Sequence, residues 1–433
     1  MIAARRDFLR SVAGTGLLAF TWLRDDWAEA VRAAQPAAEG LEPPQLASNE
    51  RFWFQVQQAF DLDRSIINLN NGGVAPSPRI VHEAMKRQLD YANHAPSRHL
   101  WQDQDPQVEL VRARLARAFG CDPEEMAITR NASEALQIAL NGIELKPGNE
   151  ILTTTQDYGR MLDTIRQRER RDGIVMKQVK LPVPIGSHDE VVRLFEEAVT
   201  PSTRAILCCH MVNITGEILP VQQICRMARD KGIISIVDGA HAFAHFVFDY
   251  SDIQCDMYAV SLHKWLSAPI GTGFLYVRKD LIERIWPLQA PPVEKLADIR
   301  KFEEIGTHPT APRLAIAEAL TFHLGVGPQR KEARLRWLRD YWAQRLSKHE
   351  KVRIHTNLAP DHSCGIATVE VEGAKPVDLT EHLWKKHKII VTPIDHADFH
   401  GIRITPNLYT TTQELDLFCD AMEQVIRSGL PKS

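Results

Sequence analysis

The chain has 433 residues, 44% hydrophobic and 25% charged, which are ordinary globular values and exclude a disordered or fibrous protein. Its 52 Lys and Arg against 55 Asp and Glu leave a net charge of −3, which gives no electrostatic footing to a nucleic-acid or anionic-membrane partner. Seven cysteines without a Cys-x-x-Cys pair make neither a disulfide scaffold nor a zinc knuckle, and the length points to two or three domains.

Residues 1–30 read as an address. Arg5-Arg6-Asp7-Phe8-Leu9-Arg10 precedes a mild apolar run from Ser11 to Leu23, too short for the roughly 20 residues that span a bilayer. A basic start, a short apolar stretch and Ala28-Glu29-Ala30 as a small-x-small cleavage site make an export signal. The Arg-Arg-x-Phe-Leu-Arg arrangement resembles the twin-arginine type, which the export machinery reads and which anchors nothing. A periplasmic or otherwise exported protein is expected, with no stable membrane anchor. The alternative is a basic amphipathic helix. Residues 31–70 form a linker and N-terminal segment, with Arg32 to Pro44 rich in Ala, Glu and Pro. Within it the cluster Phe52-Trp53-Phe54 reads as core.

A large domain is expected over 71–305. From Met126, apolar runs alternate with amphipathic stretches: MAITR, EILTTT, VMKQVKL, RAILCCHMV, IISIVDGA, MYAVSLHK and TGFLYVRK. Continuous apolar runs are strands buried on both faces, so an α/β fold with a mostly parallel central sheet flanked by helices follows. Asn131 and Glu134 have the spacing of a capping box before the first of the intervening helices. Near Gly306 the pattern changes. Helices over 313–324 and 328–349, the runs IATVEVEG and GIRITPNLY, and a last helix from Thr412 predict a smaller α+β domain over 306–433.

In an open parallel sheet the ligand sits at the carboxyl ends of the strands. One run ends at Asp238, followed by Gly239-Ala240-His241, and the next at Ser261, followed by Leu262-His263-Lys264. A lysine at the end of a buried strand is an unusual place for a solvated charge. It is what a Schiff base with a pyridoxal cofactor requires: an amine at a fixed point whose pKa its surroundings lower. Asp238 would pair with the pyridine nitrogen and keep the ring an electron sink. Ala132 and Ser133 open a helix after MAITR, and helix N-termini offer N–H groups to a phosphate. Ser261 and His263 are close enough in sequence to Lys264 to reach the same phosphate.

Together ITRNASEAL, DYG, VNITGEILPV, VDGAHA, SLHKWLSAPIGTGFLYVR, EEIGT and GIRITPNLYTT resemble the class-V aminotransferase superfamily of pyridoxal-phosphate enzymes, in its isopenicillin-N-epimerase-like branch. The resemblance runs from about Asn68 to Ile426. It implies the fold type I (aspartate-aminotransferase) architecture and a homodimer with active sites at the subunit interface. It makes Lys264 the Schiff-base lysine and Asp238 the pyridinium partner, and it sets His241 and Asn213 near the cofactor's 3-hydroxyl. Tyr158, or Asp157 by a one-residue slip, would stack on the ring. Ser133, Ser261 and His263 would hold the phosphate, and Thr307 would reach the neighbouring subunit's phosphate. Arg403 would clamp the substrate α-carboxylate, a task that suits a bidentate fork.

Cysteine desulfurases carry a loop cysteine shortly before that arginine, but no cysteine lies between Gly365 and Ile402. Cys364 therefore reads as a buried strand-start residue, and Cys208-Cys209 as core. Gly271-Thr272-Gly273 leads into a strand, so it is a turn and not a dinucleotide loop. No Gly-x-Ser-x-Gly or His-Glu-x-x-His occurs. The expectation is an enzyme acting at the α-carbon of an amino-acid-type small molecule, first by transamination. Epimerisation, tailoring of a siderophore or peptide side chain, and a catalytically silent binding homologue are the alternatives.

Overall fold

The seven apolar runs of the large domain all form strands: β1 (Met126–Thr129), β2 (Glu150–Thr154), β3 (Val175–Val179), β4 (Thr203–Cys209), β5 (Ile234–Asp238), β6 (Met257–Ser261) and β7 (Gly273–Val277). They make one sheet in the order β1-β7-β6-β5-β4-β2-β3. The pairs β3–β2, β2–β4, β4–β5 and β5–β6 are parallel, and β7 runs antiparallel to both β6 and β1. The structure, a computed structural model, describes residues 40–430. The twin-arginine segment and its cleavage site lie outside the described residues.

Helices cover both faces, and the alternation along each strand sends side chains to two cores. Tyr258 and Val260 of β6 join Phe119, Phe274 and Leu320 on one face. Met257 and Ala259 join Leu136, Ile165 and Leu275 on the other. Burying each such Val or Leu side chain contributes about 1.5–3 kcal/mol, which is why β6 and β7 are buried at every position. Among the described residues no helix is long and apolar enough to cross a membrane.

The smaller domain carries β8 (Val352–Ile354), β9 (Ala367–Val371), β10 (Thr392–Asp395) and β11 (His400–Ile404) in an antiparallel sheet ordered β10-β11-β9-β8. The helices Pro328–Leu346 and Thr412–Ser428 share its core through Leu338, Trp342, Phe418 and Met422. Thr411 and Glu414 form a complete capping box on the last helix. The helix expected over 313–324 is interrupted, as Ala311–Leu314 and then Ile316–Val326, and its Leu314, Ile316 and Leu320 pack into the large domain's core, so the small domain begins after it and not at 306. The short strands β8 and β10 and the helix Pro376–His387 were not expected; β8 and β10 are too brief for a period to show.

In the N-terminal segment the first described helix begins at Pro43. Helices Pro43–Ala47 and Glu50–Gln57 pack beneath the long helix Pro328–Leu346. Trp53 is wholly buried, donates through Nε1 to Leu46 O at 2.9 Å, and lies under the Arg334 guanidinium, 5.3 Å from the ring centre. Phe52 is buried too, whereas Phe54 is 55% exposed, so two of the three aromatics are core. Ile67–Asn68 then pairs in parallel with Ile389–Ile390, and Asn70 bridges to Thr405, which ties this segment to the small domain.

Candidate active site

The carboxyl ends of β1, β2, β4, β5 and β6 lie along one edge of the large sheet, and β11 brings one side chain to them from the small domain. β5 ends with Asp238, and a tight turn follows at Gly239, whose Cβ position is filled by the Tyr258 ring: an added carbon would lie 1.9 Å from it. Only glycine lets the chain turn there. Asp238 Oδ1 accepts from Ala240 N at 3.0 Å, and burial pushes its carboxyl up to about 6 against the pull of that N–H and of Lys264.

His241 follows one turn later. Its Nε2 is 3.0 Å from Lys264 Nζ, and its Nδ1 accepts from Trp265 Nε1 at 3.3 Å. Indole N–H only donates, so Nδ1 is the acceptor and Nε2 carries the proton. Burial holds the imidazole neutral, far below its ordinary pKa. When the Lys264 amine is deprotonated it can accept from Nε2–H. Burial lowers the Lys264 pKa to about 8, with Arg403 adding to the effect and Asp238 opposing it.

Behind this pair stands a support that sequence reasoning missed. His245 stacks flat on Trp265, with centroids 3.5 Å apart and planes 8° from parallel. Its Nδ1 is 2.7 Å from His241 O, and its Nε2 accepts from Gly365 N at 2.9 Å. The buried Lys331 Nζ donates to Trp265 O. The spacing of His241 and His245, four residues apart before His263-Lys264-Trp265, was the available signal.

The phosphate-type donors gather at the same edge. Asn131 Oδ1 accepts from Glu134 N at 2.8 Å and caps the helix Ala132–Gly142. Glu134 reaches past the cap to Arg130 N, so only half of the expected capping box forms. Ser261 Oγ accepts from Ala132 N at 2.9 Å, which places Ala132, Ser133 and Ser261 together. Gly273 permits this contact, since a Cβ there would lie 2.6 Å from Asn131 Cα. His263 is half-buried, and its Nδ1 is buried with no protein partner.

Arg403 comes from β11 and is buried. Its Nη1 donates to Asn213 O at 2.9 Å and its Nη2 to Asn70 Oδ1 at 2.9 Å, while Nε has no partner. Burial lowers its pKa to about 10, so it stays cationic at neutral pH. Asn213 Oδ1 is likewise buried and unpartnered. The pair Asp157 and Tyr158 divides clearly. Asp157 accepts from Thr153 Oγ1, Thr154 N, Thr154 Oγ1 and Cys209 N at 2.6–2.9 Å, so its carboxylate is spent stitching β2 to β4. Tyr158 is half-buried at the start of the helix Gly159–Asp172, close enough to feel the Arg403 charge.

Thr307 stands apart. It is exposed on the loop after Glu303 and lines a separate cavity of about 450 Å³ with Trp101, Arg300 and Arg313. Cys364 is buried, its thiol directed at His245 O and Glu332 O and pushed up to about 12 by burial. Cys208 and Cys209 are core.

The model of the class-V aminotransferase family matches residues 67–418. Isopenicillin N epimerase of Amycolatopsis lactamdurans is 31% identical over 86% of this chain and 98% of its own length. The apo structure of cysteine desulfurase from Thermococcus onnurineus NA1 superposes with a TM-score of 0.76 at 22% identity, over 86% of this chain and 98% of that one. A C-DES variant with glycine covalently linked to its PLP cofactor superposes with a TM-score of 0.74, also at 22% identity, over 82% and 96% of the two chains. The buried atoms left unpartnered here suit that cofactor: Asn213 Oδ1 can accept from a phenolic O–H, and His263 Nδ1 can donate to a phosphate lying at the start of the helix Ala132–Gly142.

Proposed function

This chain belongs to the class-V aminotransferase family of pyridoxal-phosphate enzymes, and we propose that it is an exported member acting at the α-carbon of an amino acid or amino-acid-containing metabolite. The observation that carries the reading is the meeting of Lys264, His241, Asp238 and Arg403 from three separate elements in one buried pocket. When bound, pyridoxal phosphate supplies an electron sink that acidifies the substrate Cα–H. Asp238 would face the ring nitrogen, His241 and Asn213 the 3-oxygen, and Tyr158 the ring. Ala132, Ser133, Ser261 and His263 would hold the phosphate, with Thr307 reaching it from a second copy in a homodimer.

The chain's own groups do the rest. Arg403 lies on a strand, and Asn70 and Asn213 fix its fork in orientation, as clamping a carboxylate demands. Lys264 Nζ is the proton carrier. Its pKa of about 8 lies near working pH, where one amine can both take and return a proton. His241 Nε2–H and the stacked pair of Trp265 and His245 keep that amine in place.

Moving a proton on one face needs only Lys264, which favours transamination. Inversion at Cα needs a second acid on the opposite face, and Tyr158 is the candidate. The full-length similarity to isopenicillin N epimerase supports this second reading. Desulfurase chemistry lacks a reactive thiol, since Cys364 is buried and protonated.

The test is an accepted amino acid in deuterated water without added keto acid. A transaminase stops after one half-reaction and releases stoichiometric keto acid. Sustained inversion with deuterium uptake and no keto acid would refute transamination, and its loss in Tyr158→Phe would assign the second acid. Borohydride should fix the cofactor onto Lys264, and a reduced adduct on any other lysine would overturn the site. Export is tested separately: Arg5→Lys with Arg6→Lys should hold the protein in the cytoplasm, and unchanged periplasmic recovery would remove the claim.

A further inference from the structure

Two histidines and two carboxyl groups converge away from Lys264, at the junction of the two domains. His188 opens the helix His188–Ala198 of the large domain. Asp361 and His362 lie on the loop between β8 and β9, and Glu217 follows the Asn213 segment. His188, Asp361 and His362 each offer a ligand atom, and these atoms lie within 4.8 Å of one another. The two imidazole rings have centroids 4.2 Å apart.

The His188 ring is engaged from behind, and the His362 ring has a carboxyl group near each of its nitrogens without a hydrogen bond to either. The backbone of Ile218 engages His188, leaving Nε2 buried with no partner. Glu217 Oε2 is 3.8 Å from His362 Nδ1, and Asp361 Oδ2 is 3.9 Å from His362 Nε2. Glu217 is 1% exposed. Its Oε1 accepts from Asn357 N at 2.7 Å and Ile185 N at 3.2 Å, whereas Oε2 has no hydrogen-bond partner. The half-buried His188 and the buried His362, each with a nitrogen left without a partner, beside a buried, half-satisfied carboxyl are costly unless a cation joins them.

We infer that His188, His362 and Asp361 bind a divalent transition-metal ion of the zinc class, with Glu217 as the carboxyl that orients His362. Two imidazoles and one carboxylate are a nitrogen-rich set that suits zinc over calcium or magnesium, which take oxygen ligands. A carboxylate behind a ligating histidine is the usual outer support of such a site. Tetrahedral zinc ligands lie about 3.3 Å apart, so the set must close slightly. The Asp361 side chain is 71% exposed and has room to swing in.

The ion would work as a clip. The surrounding contacts already join the two loops: Ile218 N donates to His362 O at 2.6 Å, Thr356 Oγ1 to Thr215 O at 2.5 Å, and Thr368 Oγ1 to Ile214 O at 2.7 Å. The same loop carries Asn213, whose carbonyl holds Arg403. A metal here fixes the small domain, and with it the carboxylate-binding arginine, to the large domain.

The experiment uses cofactor-loaded protein stripped of metal by a chelator, then dialysed against Zn²⁺ or Co²⁺. One ion per chain should be retained by elemental analysis, with tetrahedral Co²⁺ absorption and a higher melting temperature with metal. Asp361→Ala, a change at an exposed side chain, and His188→Gln should each weaken binding at least about tenfold. Glu217→Gln should weaken it about 10–100-fold. No retained ion and no melting shift at saturating Zn²⁺ would overturn the inference. So would a bound ion whose affinity is the same in the double variant Asp361→Ala/His188→Gln, because that ion would sit elsewhere.

Discussion

Asp238 and Cys364 show how burial assigns chemistry to single residues. The Asp238 carboxyl is raised to about 6 because burial penalises its charge more than Ala240 N–H and Lys264 repay. In cofactor-free protein the folded state therefore holds this proton over a pH range where the unfolded chain, near 3.9, has lost it. Its contribution to stability should be fully present below the unfolded value and should fall as pH rises through about 6. Thermal melts of stripped protein across pH 4–7, compared with Asp238→Asn, isolate this slope. A cationic ring nitrogen beside the carboxylate should flatten it on cofactor loading, and identical slopes in the two proteins would count against the assignment. Burial acts in the same direction on Cys364: beneath carbonyl acceptors, its thiol cannot ionise near neutrality. Cys364→Ala should keep activity within about twofold. Sulfide release from cysteine that disappears in this variant would reverse the reading.

Between strands and helices, glycines decide how closely the elements approach. Gly239 lets β5 end directly over the Tyr258 ring of β6, and that ring is held by a 2.7 Å contact between Tyr258 OH and His210 Nδ1. Gly239→Ala cannot be absorbed by a flexible side chain. It should cost at least roughly 1–3 kcal/mol, the usual range for overpacking, and should displace Asp238 and His241 together. Calorimetry and cofactor titration should register both losses. A normal melting temperature with normal cofactor affinity would show that the turn has slack. The helix Ala132–Gly142 depends similarly on its start, where the Asn131 cap and Ser261 Oγ fix the first N–H groups.

For the molecule as a whole, the site exists only while the small domain is docked. Arg403 lies on β11, yet its fork is held by Asn213 of the large domain and by Asn70 of the N-terminal segment. Arg403→Lys keeps the charge and loses the fork, so it should raise KM for α-carboxylate substrates about 10–100-fold, the equivalent of one charged hydrogen bond of about 1.5–3 kcal/mol. The effect on kcat should be smaller. An equal loss toward a carboxamide analogue would mean that Arg403 does not read the carboxylate. The two N-terminal helices support this docking, since Arg334 of the long helix is sandwiched between Trp53 and Trp337, 5.3 and 4.6 Å from the ring centres.

The sequence by itself determined the seven strands of the large sheet and the placement of Asp238 and Lys264 at and just beyond the ends of neighbouring strands. Both depend on local pattern: apolar runs buried on two faces, and charged residues stranded at their ends. It also read Cys364 as buried, which the structure bears out. Tertiary structure alone decided what depends on distant contacts. It turned Asp157 inward as a stitch between β2 and β4, because four donors from two strands converge on its carboxylate. It set Trp265 and His245 behind His241, which fixes the proton on Nε2 through a stack that no spacing rule encodes. Groups 190 residues apart, such as the Arg403 guanidinium and the Asn213 carbonyl, meet only when two cores have packed.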